Sequence, residues 1–127
     1  MITYDNLLSN LQKQRHYHIS AKNNYFVLLV SGSKYHITVF RDQWDDYENI
    51  SNLPFHLFHI SSDSEQNRCS SYFWVDKKSR RIKKIPGKYF QYNQPSYDFF
   101  SSTRSPCKLS DIKFLLKIFQ RIINKIQ

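Results

Sequence analysis

Two apolar runs, Tyr25 to Val30 (YFVLLV) and Tyr35 to Arg41 (YHITVFR), flank Ser31-Gly32-Ser33-Lys34 and constrain the fold more than any other stretch. β-Branched and aromatic side chains suit a pleated, half-buried surface. In the second run Tyr35, Ile37 and Val39 alternate with His36, Thr38 and Phe40 at the period of a strand. Gly32 supplies the positive φ that a tight turn demands. The stretch predicts a β-hairpin.

Three further runs extend the sheet: Phe55 to Ile60 (FHLFHI), Tyr72 to Val75 and Tyr89 to Tyr92. Asp42 to Asn52 reads as an acidic loop or a short helix around Trp44 and Tyr47. Ser61 to Ser71 and Gln94 to Pro106 are polar connectors. Arg80 to Ile85 does not alternate cleanly, because Ile82 and Ile85 are three apart, and it reads as an irregular edge strand or a long turn.

Helical periodicity brackets these runs. Tyr4, Leu7, Leu8 and Leu11 fall at i, i+3, i+4 and i+7, with Thr3 or Asp5 placed to cap the helix. After Pro106, Ser110 is the expected N-cap and Asp111 lies in the first turn, where negative charge suits the helix dipole. Ile112, Leu115, Leu116, Phe119, Ile122, Ile123 and Ile126 then make one apolar face, and Lys113, Lys117, Arg121 and Lys125 recur on the other. The expected architecture is α+β: an antiparallel sheet of about five strands with an N-terminal and a C-terminal helix packed on one face. At 127 residues, with no internal repeat or linker, the chain reads as a single domain spanning 1–127.

The excess charge is local. Within Ser71 to Tyr92 (SYFWVDKKSRRIKKIPGKYFQY), Lys77, Lys78, Arg80, Arg81, Lys83, Lys84 and Lys88 supply seven of the 19 basic residues without an acid among them. Without these seven the net charge of +9 falls to +2. Lysine and arginine neutralise phosphates, and aromatic rings beside them can stack on unpaired bases. The expected anion-binding set is therefore Lys77, Lys78, Arg80, Arg81, Lys83, Lys84 and Lys88 with Tyr72, Trp74 and Tyr89, flanked by Phe90 and Tyr92. Set against this are the plainer readings that the aromatics are core and that codon bias inflates lysine. Scarce alanine and glycine beside abundant Ile, Asn, Lys, Phe and Tyr do suggest an AT-rich genome. That bias does not account for Arg80 and Arg81. The basic stripe of the last helix either extends the same surface or is simply its solvated side.

Other chemistry leaves fainter traces. Asp76-Lys77-Lys78 contains the Asp-x-Lys of metal-dependent nucleases, with Asp45, Asp46 or Glu65 upstream as further carboxylates. His16 and His18 share one side of a strand, and His56 and His59 are three apart, a spacing that suits a helix better; neither pair has a third ligand at recognisable spacing. No metal site and no cofactor are expected, and two glycines leave no room for a phosphate-cradling glycine loop. Cys69 and Cys107 are expected to be reduced thiols in an intracellular protein, Cys107 as a buried structural one. The N-terminal residues lack the pattern of a signal peptide, and no apolar run is long enough to span a membrane.

Two functional classes follow. One is a small non-enzymatic module that binds nucleic acid, RNA or single strands in preference to duplex, or that belongs to a nucleoprotein assembly. The other is a protein-interaction module, an inhibitor, assembly factor or subunit, docking its basic loop on an acidic partner. A metal-dependent nuclease is the third reading.

Overall fold

The hairpin around Gly32 forms, with the glycine at φ 83°, and becomes the second and third strands of a six-stranded antiparallel sheet. The computed structural model describes residues 2–46, 53–64, 68–84 and 106–127. The elements run α1 (Tyr4–Gln12), β1 (Tyr17–Ala21), β2 (Tyr25–Val30), β3 (His36–Phe40), α2 (Arg41–Asp45), β4 (Phe55–Ser62), β5 (Cys69–Asp76), β6 (Ile82–Lys84) and α3 (Leu109–Lys125). The strands lie in the sheet in chain order, β1 to β6, each antiparallel to the next. Four of the expected runs coincide with β2 to β5. The fifth, Tyr89 to Tyr92, falls outside the described residues, and so do Lys88, Tyr89 and Glu65.

Two strands were missing from the expected count. β1 is only five residues long and polar at every second position, which leaves a weak period. β6 takes up the stretch left open between edge strand and turn, and pairs Val75 with Ile82 and Phe73 with Lys84. His56 and His59, whose spacing suggested a helix, sit instead on opposite faces of β4, as an odd separation on a strand requires.

The register assigns the two faces. Phe26 opposes Val39, Leu28 opposes Ile37, Ile37 opposes Ile60, and Phe58 opposes Phe73. This face carries the three described helices. The Tyr4 ring of α1 meets Phe26 at 5.4 Å, Trp44 of α2 stacks on His56 at 4.4 Å, and Phe119 of α3 meets Phe58 edge-on at 4.6 Å. Ile112, Leu115, Phe119, Ile122, Ile123 and Ile126 are all buried, so the apolar face read from the sequence is the core face. The other sheet face carries a second, smaller cluster, with Phe55 and Leu57 buried against Leu53, Tyr72 and Trp74.

Caps and bridges fix the helices in place. Thr3 accepts the Asn6 N–H at 3.1 Å, as expected for α1, and the Tyr4 N–H is accepted by Asp45 of α2 at 2.8 Å. The fully buried Trp44 indole donates to the Ile2 carbonyl at 2.9 Å. α3 differs from expectation: it starts at Leu109 with Lys108 at the N-cap and no side-chain cap, so Ser110 lies inside the first turn. Its entry is fixed from outside by the Cys107 N–H, which donates to the Ser71 hydroxyl at 2.8 Å, and by the Tyr35 hydroxyl, which donates to Asp111 at 3.2 Å.

The expectation of two reduced thiols is overturned. Cys69 and Cys107 form a disulfide, their Cα atoms 4.9 Å apart, within ordinary bridging distance. A separation of 38 residues hid the pairing. Cys69 opens β5 and Cys107 directly precedes α3, and α3 begins its run across the sheet beside that end of β5.

Candidate functional site: a basic hairpin locked to the last helix

The β5–β6 hairpin owes its shape to Asp76. Its carboxylate accepts the N–H groups of Lys78 at 2.9 Å and Ser79 at 2.8 Å, the side-chain turn for which aspartate is suited. The Arg80 N–H returns to the Asp76 carbonyl at 2.8 Å, and Arg80 takes φ 62°, the left-handed conformation that closes the loop. Those N–H bonds hold the Asp76 carboxyl below the usual carboxylate range. The Lys77 N–H donates to the Pro54 carbonyl at 2.9 Å and ties the loop to the start of β4.

α3 grips the hairpin from the helix side. The Gln120 amide donates to the Arg80 carbonyl at 2.7 Å and its oxygen accepts the Ile82 N–H at 2.9 Å, satisfying one acceptor and one donor at the edge of the sheet. The Arg80 guanidinium donates to the Ile126 carbonyl and, at 3.5 Å, to the Ile123 carbonyl. Ile126 is the C-cap of α3 and Ile123 lies in its last turn, where it also accepts the Ile126 N–H at 3.2 Å, so both carbonyls sit at the negative end of the helix. Arg80 is therefore a helix cap as well as a loop residue. Gln120 gave no signal in the sequence beyond being an uncharged polar residue beside the apolar face.

The expected site residues divide in three. Lys78, Arg81, Lys83 and Lys84 are exposed and Lys77 is half-buried. Arg80 is half-buried with its guanidinium turned to α3. Tyr72 and Trp74 stand on the sheet face away from the helices, and among the described strand residues of the set Lys83, paired across the strands with Trp74, comes beside them. Lys84 projects on the helix side, opposite Phe73.

The aromatic rings are engaged with one another. Tyr25 and Phe40 lie 5.3 Å apart, Phe40 stacks on His59 at 5.6 Å and 12°, and His59 stacks on Tyr72 at 5.2 Å and 19°. Trp74 packs on Phe55 at 4.4 Å. The ladder uses ring faces that a base would need, both of them in the case of His59.

Because the hairpin is anchored beside the C-terminal end of α3, its cations and the last two of the helix, Arg121 and Lys125, share one end of the molecule, and Lys117 and Lys113 continue the stripe away from it along the helix. Lys113, Lys117, Arg121 and Lys125 are all exposed. Arg121 adjoins Gln120 and Lys125 adjoins Ile126, the residues that hold the hairpin. The two basic features read separately from the sequence thus meet.

Two of the carboxylates of the nuclease reading have structural partners. Asp76 holds the turn and Asp45 holds the start of α1. Among the described residues no three His, Cys, Asp or Glu side chains are placed to share a metal ion. Nor is any helix among them long and apolar enough to cross a membrane.

The chain is 58% identical to an uncharacterized protein, R703, of Acanthamoeba polyphaga mimivirus over 127 residues, which is all of this chain and 94% of that one. No family model and no solved structure matches it.

Proposed function

We propose that this chain, which belongs to the family of that mimivirus protein, binds the phosphate backbone of nucleic acid through the β5–β6 hairpin and the solvent face of α3. The observation that carries the reading is the junction itself. Gln120 and Arg80 fix a loop of exposed cations against the end of a helix that presents four more. A preorganised array of this kind can neutralise several phosphates together, and each neutralised phosphate releases counterions.

Tyr72 and Trp74 are half-buried in contacts with other rings, and the exposed ring on α3 among the described residues is Phe114, so recognition rests mainly on backbone contacts. Binding is accordingly expected on single strands and duplex alike, with little dependence on sequence. Fluorescence anisotropy with labelled single-stranded RNA, single-stranded DNA and duplex, titrated with salt, tests it. Reversing Lys78 and Arg81, or Arg121 and Lys125, should weaken all three ligands together and flatten the plot of log affinity against log salt. Absence of binding at about 50 mM salt, where phosphate contacts are strong, would refute the reading.

A further inference from the structure

Among the described residues, the outer edge of β1 is the less protected of the sheet's two edges. β1 pairs with β2 residue by residue from Tyr17↔Val30 to Ala21↔Phe26, without a bulge. Its other edge has no partner among the described residues. Sheet edges are normally blunted by lysine, proline, bulges or shortness. The opposite edge follows that rule, since β6 is three residues long and contains two lysines. β1, Tyr-His-Ile-Ser-Ala, has no proline, no glycine and no lysine, arginine or acid.

We propose that β1 pairs edge to edge, antiparallel, with β1 of a second copy of this chain. Centred on Ile19, the pairing is self-complementary. Tyr17 falls opposite Ala21, large against small on the helix-bearing face. His18 falls opposite Ser20, imidazole against hydroxyl on the other face. The margin beside the edge is apolar: Leu8, Tyr17 and Ile19 are half-buried on the helix side, and Leu29, the neighbour of His18, is 39% exposed. Arg15 and Lys22 fall beyond the paired residues. Charge favours this edge over the other. Five strand spacings of about 4.8 Å put the basic hairpin about 24 Å from β1, so pairing through β1 sends the two basic surfaces to the far ends of a twelve-stranded sheet. The pairing stands independently of what those surfaces bind.

Sedimentation velocity of the full chain from about 5 to 200 µM, the range suited to a small interface, is the test, in about 0.3 M salt to screen the net charge. A monomer–dimer equilibrium is expected. The double variant His18→Lys/Ser20→Lys, both exposed positions, should be monomeric with unchanged circular dichroism. Ile19→Cys should cross-link covalently to its copy, because the pairing sets residue 19 against itself. A wild-type chain that stays monomeric, or a dimer that survives the double variant, overturns the proposal. Should the double variant lose its fold, the Ile19→Cys link decides, and its failure to form overturns the proposal equally.

Discussion

Arg80→Met and Arg81→Met remove the same charge from adjacent positions and should have opposite consequences. The Arg80 guanidinium bonds the Ile126 and Ile123 carbonyls at the negative end of α3. A hydrogen bond from a charged donor contributes about 1.5 to 3 kcal/mol, and a cation at a helix C-terminus about 0.3 to 1 kcal/mol more. Arg80 is half-buried, so a loss near the lower end, about 2 kcal/mol, is expected. Methionine retains the apolar stem and leaves the penalty of the left-handed backbone unchanged, so the difference isolates the cap. Arg81 is exposed, and its side chain has no such bond among the described residues. Its removal should change stability by no more than about 0.5 kcal/mol while lowering the salt slope of nucleic-acid binding by about one ion. Urea titration monitored by circular dichroism gives the first quantity and anisotropy at several salt concentrations the second. If Arg80→Met leaves stability unchanged and flattens the salt slope as Arg81→Met does, then Arg80 is a phosphate ligand and the helix cap plays no part in the fold.

The disulfide closes a loop between residues 38 apart, for which loop-closure entropy gives about 4 kcal/mol; Cys107→Ser should lower unfolding stability by that order in urea, and reductant should do the same to the wild type but leave the variant unaffected. His56 is buried beneath Trp44 and donates from Nδ1 to the Trp44 carbonyl at 2.7 Å; burial, aided by the nearby Lys77 charge, holds its pKa down at about 4 against an ordinary 6.5. The unfolded chain therefore takes up the proton first, so stability should be level above pH 6.5, fall by about 3 kcal/mol as pH drops to 4, and fall no further from this group below that. Denaturant titrations at intervals from pH 8 to 4 check the window, and a flat profile across it would show that His56 is not held neutral.

Periodicity made much of the fold legible. Alternation in Tyr35 to Phe40 and the heptad-like spacing from Ile112 to Ile126 are properties of a single element, and both survived folding unchanged. The disulfide and the clamp were hidden because each joins residues about 40 positions apart, and no local pattern records that distance. Tyr72 and Trp74 fell between these cases. Their alternation with Phe73 and Val75 puts them on one face, but which face the helices would occupy follows from how Phe58, Phe73 and Phe119 pack, and that is set by three elements together. The basic stretch itself was plain in the sequence, whereas the separate task of Arg80 within it was not.

Net charge therefore overstates the surface available to a ligand. Arg41 bonds Asp5 at 2.8 Å and lies 4.3 Å above the Tyr4 ring, so it too belongs to the scaffold. Arginine suits both tasks because its planar fork can satisfy several carbonyl or carboxylate oxygens at once, which lysine cannot do. The cations exposed on the hairpin are mostly lysine, Arg81 excepted, and those on α3 are three lysines and Arg121. Lysine is a mobile point charge that tracks phosphates without demanding one geometry. The distribution suits a rigid platform, fixed by arginine and glutamine, that presents adaptable charge to a backbone of variable path. On that reasoning Lys→Arg changes across the hairpin should preserve binding, whereas Arg80→Lys should lose most of what the helix cap contributes.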